Sequence, residues 1–190
     1  MNEPRSDEEL EAYLPTVLIG GPESAPIEVV DYDPAWSERF AAERKRIHTA
    51  LGGRERLLEH IGSTSVPGLA AKPIVDILLV VDDSADEPSY LPALEAAGYV
   101  VRVREPDWHE HRMLRTPAKD VHVHVYSPDA PEIARNLLFR DRLRTDTGDR
   151  DLYVATKRRL ASREWPTTQH YAEAKTEVIE AILARAGAGT

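Results

Sequence analysis

Residues 60–76, His60-Ile-Gly-Ser-Thr-Ser-Val-Pro-Gly-Leu-Ala-Ala-Lys-Pro-Ile-Val-Asp76, gather small hydroxyl residues, a lysine and an aspartate into one stretch. Glycine at 62 lets another group approach the backbone closely, Ser63, Thr64 and Ser65 add hydroxyl donors, and Lys72 brings a mobile positive charge. Together these can cradle a phosphate. The plainer alternative is a tight turn whose hydroxyls satisfy loop amides. Asp76 weighs against that alternative. It interrupts the otherwise apolar run Ile74 to Val81, and an ionised carboxylate in such a strand costs several kcal/mol unless it is paired or meets a cation.

A second cluster is Val121-His-Val-His-Val-Tyr126. Strand side chains alternate, so His122, His124 and Tyr126 share one face and the valines the other. His60, His109 and His111 also fall at expected strands or strand ends. Imidazoles suit Zn²⁺, Mn²⁺, Fe²⁺ or Ni²⁺ better than Mg²⁺, which makes Asp76 with His124 a candidate metal site. On the alternative reading the histidines hydrogen-bond Asp76 and loop backbone, or sit wet on an open sheet face. A third set is Tyr153-x3-Lys157 and Tyr171-x3-Lys175. Residues four apart on a helix project together, so Lys157 and Lys175, with Arg140 and Arg112, are candidate anion contacts. The simpler reading has the tyrosines docking the helices and the lysines reaching water.

These residues need a sheet with helices on it. Asp33-Pro34 supplies an N-cap and first-turn proline for a helix whose apolar residues Trp36, Phe40, Ile47 and Leu51 lie on one face, stopped by Gly52-Gly53. Strands are expected over 27–30, 57–61, 74–81 and 99–103, with 111–115 and 121–126 as a hairpin. The apolar run 74–81 suits a central strand covered on both faces. Helices are expected over 89–97 and then roughly 129–144, 149–163 and 168–186, a helical layer over the sheet. Residues 1–25, with a short amphipathic stretch from Asp7 to Leu14, read as an arm lying on a single domain of residues 26–190.

A chain of 190 residues with 42% hydrophobic residues has the size and core of one ordinary domain. Its net charge of −9 argues against a duplex nucleic-acid binder, while leaving room for a local basic pocket. With no cysteine there are no disulfides, thiolate zinc sites or thiol nucleophiles. No run approaches a membrane span, and the expectation is a cytoplasmic protein without membrane partners.

The run 59–76, together with Tyr32-Asp-Pro-Ala-Trp36, His111-Arg112, His124-Val125 and Phe139-Arg-Asp141, resembles the GrpB family (UPF0157) over about residues 26–186. That resemblance implies an α+β nucleotidyltransferase-like fold: a mixed β-sheet with helices packed on it and a C-terminal helical layer. Nucleotidyltransferases place Gly-Ser after one strand and an Asp-x-Asp pair on the next, and their carboxylates hold two Mg²⁺ ions. Gly62, Ser63 and Asp76 match this pattern, but the residue two beyond Asp76 is Leu78. His111 and His124 match family positions, whereas His122 stands where relatives commonly carry Leu or Asn, so His124 and His111 come first as catalytic candidates beside Asp76. The expected function is to act on or bind a phosphate-containing or nucleotide-like small molecule, the alternative being a non-catalytic ligand-binding or regulatory module. Any metal would be Zn, Mn, Fe or Ni rather than Mg.

Overall fold

The computed structural model describes residues 4–187; residues 1–3 and 188–190, at the ends of the expected arm and domain, lie outside the described residues. The expected strand segments form β1 (Leu57–Ile61), β2 (Val75–Val80), β3 (Val100–Glu105), β4 (His111–Arg115) and β5 (Val121–Tyr126), and these pair in the order β1-β2-β5-β4-β3. β2 and β5 run parallel and the other pairs antiparallel. The sheet is therefore mixed, and β4 with β5 is the expected hairpin.

One helix precedes the sheet's first strand on its core side and another follows β2: α2 (Ala35–Leu51) and α3 (Glu87–Ala96). The Asp33 carboxylate accepts the Ala35 N–H at 2.9 Å, and Gly52 ends α2 in the left-handed conformation. Trp36, Ile47, Leu51, Leu91 and Leu94 of these helices meet Leu58, Ile77, Leu79, Leu114, Val121, Val123 and Val125 in the main core. Burial of these apolar faces, at about 25 cal/mol per Å², is the main stabilising term.

The opposite sheet face carries Asp76, Leu78, His122, His124 and Tyr126, because Asp76 is the register partner of His122 and Leu78 of His124. It is covered by α4 (Pro131–Thr145), α5 (Thr147–Ala161), α6 (Thr168–Glu173) and α7 (Thr176–Gly187). The side chains of Leu143, Tyr153 and Ile182 close over Val66 and Leu69, fixing the 62–69 loop against the helical layer. α1 (Asp7–Val17) starts at a Ser6/Glu9 capping box and buries Leu10, Leu14 and Val17 against Val103 and Met113.

Two expectations are corrected. The strand at 27–30 is a single bridge, Val30 to Ala71, in an otherwise irregular segment. The helix over 168–186 is two, separated by a turn at Ala174 and Lys175; no glycine or proline stands there to signal the break. Among the described residues no helix is long and apolar enough to cross a membrane.

Candidate functional site

Between β1 and β2 the chain turns at Gly62, with φ 67° and ψ −173°, into a short 3₁₀ turn over Ser63–Ser65. That conformation is essentially restricted to glycine. A Cβ at this position would also lie 2.4 Å from Oδ2 of Asp76, so the absence of a side chain is what lets the carboxylate pack against the loop. We expect Gly62→Ala to lower stability in urea unfolding by at least ~1–3 kcal/mol, the usual cost of such backbone strain. A wild-type midpoint would show that the loop adapts freely.

The three loop hydroxyls part company. Ser65 Oγ donates to the Gly62 carbonyl at 2.6 Å, and Thr64 Oγ1 donates to the Ile74 carbonyl at 3.1 Å while lying 3.1 Å from His60 Nε2. Both side chains hold the turn together, as the plainer reading had it. Ser63 differs, because its Oγ accepts from the ammonium of Lys157 at 3.0 Å.

Lys157 does not reach water. It is buried, donates also to the Ala70 carbonyl, and lies over the Tyr153 ring at 4.7 Å. Lys72 and Lys175, both half-buried, lie over the ring of Tyr171 at 5.4 and 5.1 Å. Burial, reinforced by the neighbouring Lys175 charge, pulls Lys157 down to about 7 and Lys72 down to about 8, with Asp76 partly offsetting the shift of Lys72. Burial lowers Lys175 as well, against the pull of Asp76. The (i, i+4) spacing thus brings lysines from α5 and the α6–α7 turn onto the loop that carries Lys72.

Oδ1 of Asp76 lies 3.5 Å from His122 Nδ1 and 3.7 Å from His124 Nε2, and one donor atom from each of the three residues falls within 4.8 Å of the others. Burial works to raise the Asp76 pKa, but the two histidines outweigh it and hold the carboxyl well below the ordinary carboxylate range. His111 is not part of this trio. Its Nε2 is 3.1 Å from His124 Nδ1, and its Nδ1 is 2.5 Å from Glu105, which also accepts from the Tyr13 hydroxyl at 2.5 Å. His111 therefore positions His124, and His122, ranked below it from the sequence, is the residue that faces Asp76. The structural reason is register: His122 lies directly opposite Asp76 on the adjacent parallel strand.

Glu105 and Tyr13 were not singled out from the sequence. The alternation of β3 could have flagged Glu105, a charged residue ending a strand; Tyr13 carries no local signal, because only the docking of α1 brings it there. Glu105, His111 and His124 form one wall of a cleft of about 910 Å³ that is also lined by Tyr13, Trp108, Met113 and Tyr126.

Other candidates lie elsewhere. His60 is on the core face, stacked on Phe40 at 4.7 Å, where burial lowers its pKa to about 4 and keeps it neutral. His109 is in the β3–β4 turn, its ring 5.3 Å from that of Trp108. Arg112 is paired with Glu87 and Glu110, away from the lysines. Arg140 bonds Glu59, Asp141 and the His60 carbonyl, so it braces β1 against α4.

The two-magnesium arrangement of the nucleotidyltransferase fold does not fit these donors. Leu78, in the place of a second carboxylate, is fully buried among Ile61, Tyr126 and Leu137, and two of the three converging donor atoms are nitrogens, which Mg²⁺ disfavours.

A family model described as GrpB protein matches residues 26–185. A UPF0157 protein of Halalkalibacterium halodurans is 52% identical over 185 residues, spanning 97% of this chain and 94% of that protein. The crystal structure of the conserved protein GrpB from Enterococcus faecalis superposes with a TM-score of 0.72 at 34% identity, covering 84% of this chain and 96% of that one. The fold is nucleotidyltransferase-like: the MgGTP-bound Cid1 poly(U) polymerase matches with a TM-score of 0.50 at 14% identity, over 70% of this chain and 45% of that one.

Proposed function

The chain belongs to the GrpB family, and on that premise we propose that it binds a phosphate-bearing, nucleotide-like small molecule. The observation that carries this reading is the grouping of Lys157 on Ser63 with Lys72 and Lys175 over the neighbouring Tyr171 ring, in a chain of net charge −9. Lys72 and Lys175 interact with one carboxylate, Asp76, and Lys157 adds a third lysine beside Ser63, so the local field favours an anion although the molecule as a whole is acidic. Each ammonium has three donors, and Lys157 has two of them engaged. A phosphate would take up the remaining donors of the lysines, together with the Ser63 hydroxyl.

The rest of the ligand would occupy the cleft, whose walls combine aromatic and thioether surface with the His124 and Glu105 side chains. Asp76 joins the two regions, interacting electrostatically with Lys72 and Lys175 on one side and with His124 on the other. A nucleotide-like molecule, with a charged group and a planar body, matches this division.

Calorimetric titration with inorganic phosphate and with nucleoside mono-, di- and triphosphates tests the reading. Ser63→Ala combined with Lys72→Ala should weaken every observed binder by about tenfold or more, the loss of a charge-assisted contact being worth roughly 1.5–3 kcal/mol. Unchanged affinities in a folded double variant would remove the cradle, as would the absence of binding by any phosphorylated probe.

A further inference from the structure

We propose that Asp76, His122 and His124 form a mononuclear site for a first-row divalent cation of the zinc type, held by one carboxylate oxygen and two imidazole nitrogens. The proposal stands whether or not the lysines take a phosphate.

The first support is distance. A tetrahedral ion bound at about 2.0–2.1 Å separates its ligand atoms by about 3.4 Å. The two separations from Asp76 Oδ1, 3.5 Å to His122 Nδ1 and 3.7 Å to His124 Nε2, are long for hydrogen bonds and close to that ligand edge. All three donors come from adjacent parallel strands of a rigid sheet, so their spacing is set by the fold and not by mobile loops. Each side chain keeps roughly a quarter of its surface exposed, 29%, 23% and 27% in chain order, which leaves an approach for an ion and for a further ligand.

The second support is the hydrogen-bonded chain that orients His124. Glu105 as a carboxylate can only accept, so the Nδ1 of a neutral His111 carries the proton between them. Its Nε2 then has only a lone pair, and His124 must donate to it from Nδ1. With Nδ1 turned to His111, His124 presents Nε2 on the side of Asp76 Oδ1, the orientation a metal ligand needs. A metal-bound histidine whose remaining N–H is held by an outer partner is the usual arrangement around a protein metal ion; here that partner is His111, itself fixed by Glu105.

The donor chemistry selects the ion. Two nitrogens and one oxygen favour Zn²⁺ and the later first-row metals over Mg²⁺, and buried Leu78 prevents the same strand from supplying a second oxygen ligand.

The test uses the full chain, stripped with a chelator, and titrates it with Zn²⁺ by calorimetry and with Co²⁺ by visible absorption. One equivalent should bind, and the Co²⁺ spectrum should show bands of low-symmetry, nitrogen-containing coordination. Asp76→Asn, His122→Gln and His124→Gln should each weaken Zn²⁺ by about a hundredfold or more, while His111→Gln, which removes only the outer partner, should weaken it by about 10–100-fold. His48→Gln, at an exposed histidine on α2 paired with Glu55, should leave binding unchanged, and millimolar Mg²⁺ should not displace the ion. Circular dichroism verifies that each variant is folded; for any ligand residue whose Gln or Asn form is not, alanine is substituted and read in the same way. No binding of Zn²⁺, Co²⁺, Mn²⁺, Ni²⁺ or Fe²⁺ by the wild type would overturn the proposal, as would wild-type affinity in the folded ligand variants.

Discussion

Sulfate affinity of the chelator-treated protein should fall by roughly a thousandfold between pH 6.5 and pH 9, about a hundredfold from Lys157 and about tenfold from Lys72. Sulfate is chosen because it does not titrate in this interval, so the dependence reports the protein alone. The Lys157 ammonium is held at about 7 by burial and by the charges of Lys175 and Arg158, against the Ser63 hydroxyl, Ala70 carbonyl and Tyr153 ring that it touches. Lys72, at about 8, faces the Tyr171 ring, Lys175 and Asp76. An anion binds the protonated lysines, so each pH unit above the pKa of a required lysine lowers affinity by about tenfold, and binding must draw protons from solution. Calorimetry in buffers of different ionisation enthalpy measures that uptake directly. Stability of the free protein runs the other way. A lysine whose folded pKa is depressed binds fewer protons in the folded state than in the unfolded one, so its unfavourable contribution is relieved as pH rises from about 7 toward the unfolded value near 10.4. Lys157→Met should flatten the sulfate profile. A profile that stays steep in that variant, or a flat wild-type profile, would show that Lys157 is not a binding cation.

How much of this was legible in the sequence depends on how local each signal is. Period-two alternation in Val121 to Tyr126 put both histidines on one face, and the apolar run around Asp76 marked the neighbouring strand; each is a property of a few consecutive residues. The parallel pairing of β2 with β5 is not. It joins segments some 45 residues apart, and only that register decides that His122, not His111, faces Asp76. The lysine spacing likewise shows that Tyr153 and Lys157 share a face, but not that the face turns inward, because burial of an ammonium is decided by the Ser63 and Ala70 partners on a distant loop. Thr64 and Ser65 illustrate the converse error. Their residue types suit phosphate binding, yet turn geometry directs their hydroxyls to the Ile74 and Gly62 carbonyls.

Leu78→Asp, which would restore the Asp-x-Asp spacing of nucleotidyltransferases, should abolish stable folding instead of creating a two-magnesium site. Leu78 is fully buried on the sheet face covered by α4, packed in one cluster with Ile61, Tyr126, Ile133 and Leu137. Removing its side chain alone costs about 2–5 kcal/mol in comparable core sites. The introduced carboxylate adds its own desolvation, worth several kcal/mol more unless a cation compensates. The combined loss is of the order of the whole stability of a domain this size, about 5–15 kcal/mol. His124, the register partner of Leu78, does not relieve it, because its Nδ1 and Nε2 are directed to His111 and Asp76. Urea unfolding of Leu78→Ala gives the cavity term, and the soluble fraction and unfolding midpoint of Leu78→Asp give the charge term by difference. Leu78→Asp as stable as Leu78→Ala, with Mg²⁺ raising its midpoint, would mean that the cluster tolerates a carboxylate and that one substitution separates this site from magnesium chemistry. The expected collapse would mean that the apolar packing under α4 and the absence of the second carboxylate are one adaptation: the residue that closes the core here is the residue that removes the ligand.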